Sequence, residues 1–204
     1  MIHLKALPGS PRFGGSIQKI VDKACRETDI YIECGIDSIL VENMNDIPYV
    51  QANHLKPETT ATMSRVCAEI KKQLFDCDIP CGVQVLAGAN EEAIAIAQAC
   101  EFHYIRAEGF VFSHVADEGF TDAVAGPLLR YRKNIGAEDV LVLTDIKKKH
   151  SSHAITSDVS LVETAKAAEF FFSDGVILTG TATGDPANIN ELVELKNNVS
   201  LPML

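Results

Sequence analysis

Six short runs of branched apolar residues recur along the chain, and each of them predicts a buried β-strand. They are IHLKAL, SILVEN, GVQVLA, FHYIRAEG, VLVLTDI and GVILTG, beginning at Ile2, Ser38, Gly82, Phe102, Val140 and Gly175. The runs are apolar on both faces. This is typical of parallel strands that helices cover on both sides of the sheet.

The segments between these runs have helical patterns with recognisable ends. In the first, apolar residues follow one helix face from Ile17 to Cys25, and Gly35 marks the stop. The other helices are expected to begin at Pro57, at Asn90 as an N-cap, at Thr121 (running to Asn134), at the capping box Ser160 to Glu163, and at Asn188. Strands therefore alternate with helices along the whole chain.

This alternation predicts an α/β fold with a parallel sheet in one domain, residues 1–204. An open doubly wound sheet and a (β/α) barrel both fit. Most strand starts are spaced near the roughly 31 residues per unit of a barrel of about 250 residues, and LPGSPRFGG after the first strand is not GxGxxG. The spacing favours a TIM-type (β/α) barrel.

The predicted barrel has about six of the eight βα units. We expect six parallel strands in barrel-like order, with the first and the sixth as open edges, because the chain stops at VSLPML, where a seventh strand would begin. Such a chain would be a fragment or a shortened isoform lacking the C-terminal units. Unpaired edges favour contact with another chain, so a homo-oligomer is one expected state.

Composition limits the class of partner. The chain has 18 basic and 28 acidic residues, a formal net charge of −10, which disfavours binding to nucleic acid and to anionic membranes. No apolar stretch approaches the roughly 20 residues of a membrane span, and no signal peptide is evident. The six cysteines form no CxxC pair and are expected to be buried thiols. We expect a cytoplasmic protein that binds a small molecule.

Polar residues follow the apolar runs where the strands end, most densely in VLVLTDIKKKHSSH. In parallel α/β folds this end of the sheet holds the functional site, so the side chains should converge on one cavity. The candidate catalytic residues are Glu42, Glu108, Asp145 and Lys147. The candidate binding residues are His3, Lys5, Asn43, Gln84, Arg106, Thr179, Gly180 and Thr181.

Several neighbouring residues have simpler interpretations. Lys148 and Lys149 are expected to lie in a solvated loop, since lysine is seldom buried unless paired. His150 and His153 have ligand-like spacing but no third ligand nearby in the sequence, so no metal site is predicted. The Gly-rich turn from Gly180 to Gly184 could present N–H groups to an anion. The pattern indicates no particular cofactor.

Five segments together resemble the BtpA/SgcQ family. They are IHLKALPGSPR, SILVENMNDIPY, RAEGFVFSHVADEG, TDIKKKH and DGVILTGTATGDP, and the resemblance runs over essentially the whole chain. It implies a (β/α) barrel grouped with the ribulose-phosphate-binding barrels. Many bacterial members have NVLRND where this chain has QVLAGAN at 84–90, so it is more similar to the animal branch. That departure would alter any shared substrate site.

Two functions of different class follow as expectations. The first is a metabolic enzyme acting on a small phosphorylated or sugar-like metabolite, with its reaction left open among lyase, hydrolase and isomerase chemistry. Glu42, Glu108 or Asp145 would be the general base, and Lys147 and Arg106 would stabilise negative charge. Lys147 could instead form a Schiff base. The alternative is a non-catalytic assembly factor, because the family takes its name from a photosystem I biogenesis factor.

Overall fold

The central sheet contains six parallel strands in the order in which they occur along the sequence. In the computed structural model, which describes residues 1–204, nine strands are present: β1 (Ile2–His3), β2 (Ile39–Glu42), β3 (Cys81–Gln84), β4 (Tyr104–Ala107), β5 (His114–Ala116), β6 (Gly119–Thr121), β7 (Leu141–Asp145), β8 (Ser151–Ser152) and β9 (Gly175–Ile177). The central order is β1-β2-β3-β4-β7-β9, with every pair parallel. A doubly wound sheet would reverse its order at a switch point, so this is the order of a barrel wall.

Six helices connect the strands, and most begin where local sequence signals predict. They are α1 (Ile17–Glu33), α2 (Pro57–Gln73), α3 (Asn90–Ala99), α4 (Ala125–Asn134), α5 (Leu161–Phe170) and α6 (Ile189–Lys196). The capping box is present at α5, where the Ser160 hydroxyl accepts from the Glu163 N–H and the Glu163 carboxylate accepts from the Ser160 N–H. Pro57 is the first residue of α2.

One predicted helix cap and one predicted helix start are wrong. Asn90 is not an N-cap: Ala89 has that position, and the Asn90 side chain makes no capping bond because its amide bonds the backbone of Glu108 instead. The helix expected from Thr121 begins at Ala125, because Thr121 pairs with His114 as the last residue of β6. In both cases the residue that the local signal assigned to a helix end pairs instead with a residue outside the helix, Glu108 for Asn90 and His114 for Thr121.

The central sheet is not closed into a ring. β1 is one edge, as expected, but β9 is not an open edge. Residues beyond α6 pair with it: the Val176 N–H donates to the Pro202 carbonyl at 3.0 Å, and the Leu204 N–H donates to the Val176 carbonyl at 3.0 Å. The expected open edge at the sixth parallel strand is therefore wrong, because VSLPML already forms a parallel bridge there.

A second sheet lies beyond the carboxyl ends of β4 and β7. It is antiparallel, with the order β6-β5-β8, and is built from the segments that follow those two strands. The Gln51 amide N–H donates to the Phe120 carbonyl at 3.2 Å and so ties the segment after β2 to β6. The sequence did not predict this sheet, and it supplies one wall of the site.

The buried apolar side chains form one cluster of 38 residues. The sheet is tightly packed, as Gly82 shows: a Cβ at this position would lie 2.1 Å from the Tyr104 ring on the neighbouring strand. The Tyr104 hydroxyl is 2.8 Å from the Ser38 hydroxyl, which anchors the ring. None of the helices is both long and apolar enough to cross a bilayer.

Candidate functional site

A cleft of about 410 Å³ opens at the carboxyl ends of the parallel strands, and we refer to it as the mouth cleft. Residues of β1 to β4 line it, together with residues of the segments that follow β7 and β9. This end of the sheet is where ligands bind in parallel α/β folds. Its floor and walls include His3, Glu42, Gln84, Arg106, Glu108 and Lys148. The turn between β5 and β6 places Asp117 and Glu118 on the opposite rim.

A buried Arg–Asp pair lies at one side of this floor. Arg106 donates from Nε and Nη2 to the Asp145 carboxylate at 3.0 to 3.2 Å, and the two side chains are 16% and 1% exposed. Burial raises the pKa of Asp145 to about 6, and the positive charge of Arg106 opposes that rise. The pair holds the guanidinium in place at the cleft.

A second pair joins Lys148 to Glu108. The Lys148 ammonium is 3.2 Å from one Glu108 oxygen, and the Gly88 N–H donates to the other at 3.1 Å. Asn90 fixes the backbone of Glu108: its amide donates to the Glu108 carbonyl at 2.7 Å and accepts from the Glu108 N–H at 3.2 Å. This explains why Asn90 is buried at the start of α3.

Glu42 is the carboxyl group of the floor that has no Lys or Arg partner. Its Oε2 lies 3.1 Å from the His3 Nε2, and its side chain is 8% exposed. Burial raises the pKa of Glu42 to about 7; Arg106 opposes the rise, and the carboxylates of Glu108 and Asp145 add to it. Burial also lowers the pKa of His3, with the N-terminal amine and Lys23 acting in the same direction. Near neutral pH, Glu42 can therefore either give or take a proton beside a neutral imidazole.

His114 is a buried residue at the start of β5. Its ring centroid is 5.3 Å from that of His153, and burial lowers the pKa of His114 to about 4, with Lys148 and His153 adding to the effect. The ring is therefore neutral near pH 7. It does not compete with Lys148 for the Glu108 carboxylate.

The structure brings together six of the sequence-predicted site residues. Five of them line the mouth cleft: His3, Glu42, Gln84, Arg106 and Glu108. The sixth, Asp145, is bound to Arg106. Their convergence follows from strand phase, because parallel strands in register end at one edge of the sheet. The register pairs His3 with Glu42, and Glu42 with Gln84.

Lys147 does not join this group. It has a left-handed φ of 43°, which ends the strand alternation, and its ammonium donates to the Thr156 carbonyl at 3.2 Å, away from the cleft. Lys148, which was expected in a solvated loop, faces the cleft instead, and its side chain is 11% exposed. Period-two counting from Asp145 was wrong here, because it assumes that the extended backbone continues.

The other predicted binding residues lie outside the mouth cleft. Lys5 is exposed beyond the end of β1, and the Asn43 amide oxygen accepts from the Leu86 N–H at 2.7 Å as part of the fold. Thr179, Gly180 and Thr181 belong to the segment after β9, where the Thr181 hydroxyl donates to Asp185 at 3.1 Å. From this segment it is Thr183 that reaches the cleft, 2.9 Å from the His150 ring.

The two histidines of the HSSH motif have different partners. His150 contacts Thr183, whereas the His153 Nε2 lies 3.0 Å from the Lys148 carbonyl. No group of three or more His, Cys, Asp or Glu side chains is arranged to hold a metal ion. Of the two, only His150 lines the mouth cleft.

Sequence reasoning missed the contribution of the turn between β5 and β6. Asp117 and Glu118 line the cleft because β5 and β6 fold back on each other, with Gly119 at a φ of 116°. The sequence ADEGF contains a turn signal, an acidic residue followed by glycine, between short β-prone stretches. That signal could have identified a hairpin at this position.

Comparison with solved structures agrees with a barrel-type α/β fold. The thiamine phosphate pyrophosphorylase from Pyrococcus furiosus is similar with a TM-score of 0.51 at 12% identity, over 94% of this chain and 68% of that one. At this level of identity the likeness concerns the fold alone. The protein is thus an α/β protein with a parallel, barrel-like sheet and a polar cleft at its carboxyl edge.

Sequence comparison identifies the family. The model described as the BtpA family matches residues 1–204, and the chain belongs to that family. A mitochondrial protein of Caenorhabditis elegans is 46% identical over all of this chain and 74% of its own length. The photosystem I biogenesis protein BtpA of Synechocystis is 30% identical over 98% of this chain and 67% of its own length. The resemblance stated from the sequence, including its animal branch, is confirmed.

Proposed function

We propose that the chain is a metabolic enzyme that binds a small phosphorylated or sugar-like metabolite in the mouth cleft and transfers a proton with Glu42. The observation that carries the proposal is a buried carboxyl group with a pKa of about 7 on the floor of the cleft, without a Lys or Arg partner. A general acid or base works best when its pKa is near the working pH. Glu42 has that property and faces the space where a ligand would bind.

The remaining charged groups of the floor have supporting roles. Arg106 and Lys148 are held by Asp145 and Glu108, and both can place positive charge near an anion that develops on the substrate. Because Glu108 and Asp145 each bind a cation, they are weaker candidates for the general base than Glu42. Proton abstraction next to a carbonyl, as in isomerases and some lyases, fits this arrangement.

A panel of sugar phosphates and other small metabolites tests the proposal by thermal shift, with Glu42→Gln and Lys147→Met as variants. A ligand at 100 times its dissociation constant should stabilise the wild type by about 2.7 kcal/mol. We expect Glu42→Gln to retain binding but lose turnover, and Lys147→Met to retain both. Turnover should depend on a group that titrates near pH 7. Full turnover by Glu42→Gln would disprove the role of Glu42.

A non-catalytic assembly role is the second candidate. It is favoured by the name of the Synechocystis relative, a photosystem I biogenesis protein. In cells that lack their own copy of the gene, a Glu42→Gln chain would restore an assembly role but not an enzymatic one. Complementation by this variant therefore distinguishes the two functions.

The cellular location and the oligomeric state stay proposals. Composition favours the cytoplasm, whereas the C. elegans relative is named as a mitochondrial protein. Imaging of the tagged chain against a mitochondrial marker decides between the two. The open edge at β1 favours self-association, which sedimentation at two protein concentrations would detect.

A further inference from the structure

Gln84 is a buried polar residue for which the fold supplies no complete set of partners. It ends β3, is 2% exposed and lines the mouth cleft. Its Oε1 is buried and has no hydrogen-bond partner. Leaving a buried acceptor unpaired costs free energy, and native proteins rarely do so without a reason. A ligand that completes these hydrogen bonds would be such a reason.

The charge of the floor limits what this ligand can be. Both cations there are already paired, Arg106 with Asp145 and Lys148 with Glu108, and Glu42 adds a further acidic group. A phosphate next to Gln84 would therefore meet no unpaired positive charge. Lys149 also lines the cleft and forms no ion pair with a carboxylate, so it is the cation available to a phosphate.

The amide group of Gln84 also distinguishes between uncharged and cationic ligands. A primary amide donates through its NH2 group and accepts through its oxygen. Rotation about the terminal torsion decides which of the two faces the cleft. A hydroxyl group both donates and accepts, so it can pair with either end. An ammonium group only donates and would leave the amide N–H groups unpaired.

We propose that Gln84 determines specificity by hydrogen bonding to a hydroxyl group of the ligand, so that an uncharged polyhydroxylated end lies against Gln84 and a phosphate, where present, lies near Lys149. The inference rests on the proposed function and specifies the substrate class of the same cleft. It assigns the sugar-like part of the metabolite to Gln84 and the charged part to Lys149.

Gln84→Leu tests this inference because it removes both amide ends at similar volume. The matched control is Gln73→Leu, since the Gln73 Oε1 is also buried without a partner but lies at the end of α2, outside the mouth cleft. Binding is measured by calorimetry with three- to six-carbon sugar phosphates, with their deoxy analogues and with inorganic phosphate. Melting temperatures of the ligand-free variants are measured alongside.

In the wild type, we expect loss of the recognised hydroxyl to weaken binding about 10- to 100-fold. Gln84→Leu should weaken binding of the hydroxylated probe to the same degree and abolish the difference between the two probes. It should leave the ligand-free melting temperature unchanged or higher, because an unpaired buried acceptor is removed. Gln73→Leu should leave every affinity unchanged.

Three results would overturn the inference. The first is a clear drop in the ligand-free melting temperature of Gln84→Leu, which would make the amide a structural group. The second is sugar phosphate binding that does not distinguish deoxy analogues or depend on Gln84, in which case the proposed function survives and only the inference fails. The third is the absence of binding by every probe to the wild type, which would remove both.

Discussion

Two arginine–aspartate pairs lie at opposite ends of the central sheet. They differ in whether the aspartate has a hydrogen-bond donor other than the arginine. At the amino end, one Asp174 oxygen accepts from Arg132 and from the Val142 N–H, both at 2.8 Å, and its side chain is 30% exposed. At the carboxyl end, the Asp145 side chain is 1% exposed, and it accepts three hydrogen bonds from Arg106, which lines the cleft.

The surroundings of the two pairs explain the difference. Asp174 joins α4 to the sheet, because it accepts hydrogen bonds from Arg132 and from the backbone N–H of Val142. Its role is therefore structural. Asp145 lies near two more acidic side chains, Glu42 and Glu108, whose charges affect one another. A buried carboxyl group whose pKa is raised by burial and by neighbouring carboxylates, as for Glu42, is costly for a fold and useful for a site. The same residue types thus have a structural role at one end and a candidate functional role at the other.

The largest effect should come from removing the arginine of each pair. We expect Arg106→Leu to lower the free energy of unfolding by about 3 to 5 kcal/mol at pH 8, because it leaves a buried carboxylate without a partner. Arg132→Leu should cost only about 1 kcal/mol, since Asp174 is partly exposed and keeps its backbone donor. Urea denaturation of both variants measures the difference.

The pH dependence of Arg106→Leu provides its control. Without the guanidinium, Asp145 should be protonated at pH 5, so the loss should be smaller there than at pH 8. Equal losses for the two variants at both pH values would contradict the contrast between the two ends.

Glu42→Gln should have the next largest effect, in the stabilising direction. The folded pKa of about 7 is above the ordinary value of 4.5, so the folded protein binds more protons than the unfolded chain between these values. The wild type therefore loses stability as the pH rises from about 4.5 to 7. Glu42→Gln removes this loss and should be more stable than the wild type by about 3 kcal/mol at pH 8.

At pH 4 the two proteins should be nearly equal, because Glu42 is then protonated in both states. Denaturation at pH 4 and pH 8 measures both values. A variant that is less stable at pH 8 would show that the Glu42 carboxylate stabilises the fold.

Two neighbouring lysines test the backbone change after β7. Lys148→Met should cost about 2 kcal/mol, because it leaves the Glu108 carboxylate, 8% exposed, without its cation. Lys147→Met should cost less than about 1 kcal/mol, since it removes one hydrogen bond to the Thr156 carbonyl. Thermal denaturation at pH 7 compares them, and the reverse order would indicate that Lys147 is the lysine that faces the cleft.

A small effect on stability, and none on binding, should come from the capping box at α5, which lies outside the mouth cleft. Ser160→Ala removes an exposed capping hydroxyl and should lower the free energy of unfolding by about 1 kcal/mol. Affinity for any ligand of the cleft should stay the same. A change in affinity as large as that of a cleft variant would mean that stability and binding are not separable here.

The sequence determined the parallel sheet and much of the edge that carries the candidate site. Apolar runs that alternate with capped helical segments allow few arrangements other than parallel βαβ units. Parallel strands in register then bring residues such as Glu42, Gln84 and Arg106 to one edge, so strand position alone placed them together. These conclusions depend on short-range patterns that many residues share, and a single deviation does not change them.

The tertiary structure decided which individual residues complete the site. Asn90 binds Glu108 rather than capping its helix, and the left-handed backbone at Lys147 exchanges the roles of two adjacent lysines. The antiparallel sheet arises because Val115 pairs with Ser152, far away in the sequence. Each outcome depends on a competition between a local preference and a long-range hydrogen bond or ion pair. Sequence patterns describe only the local side of that competition, because the distant partner is brought close by folding itself.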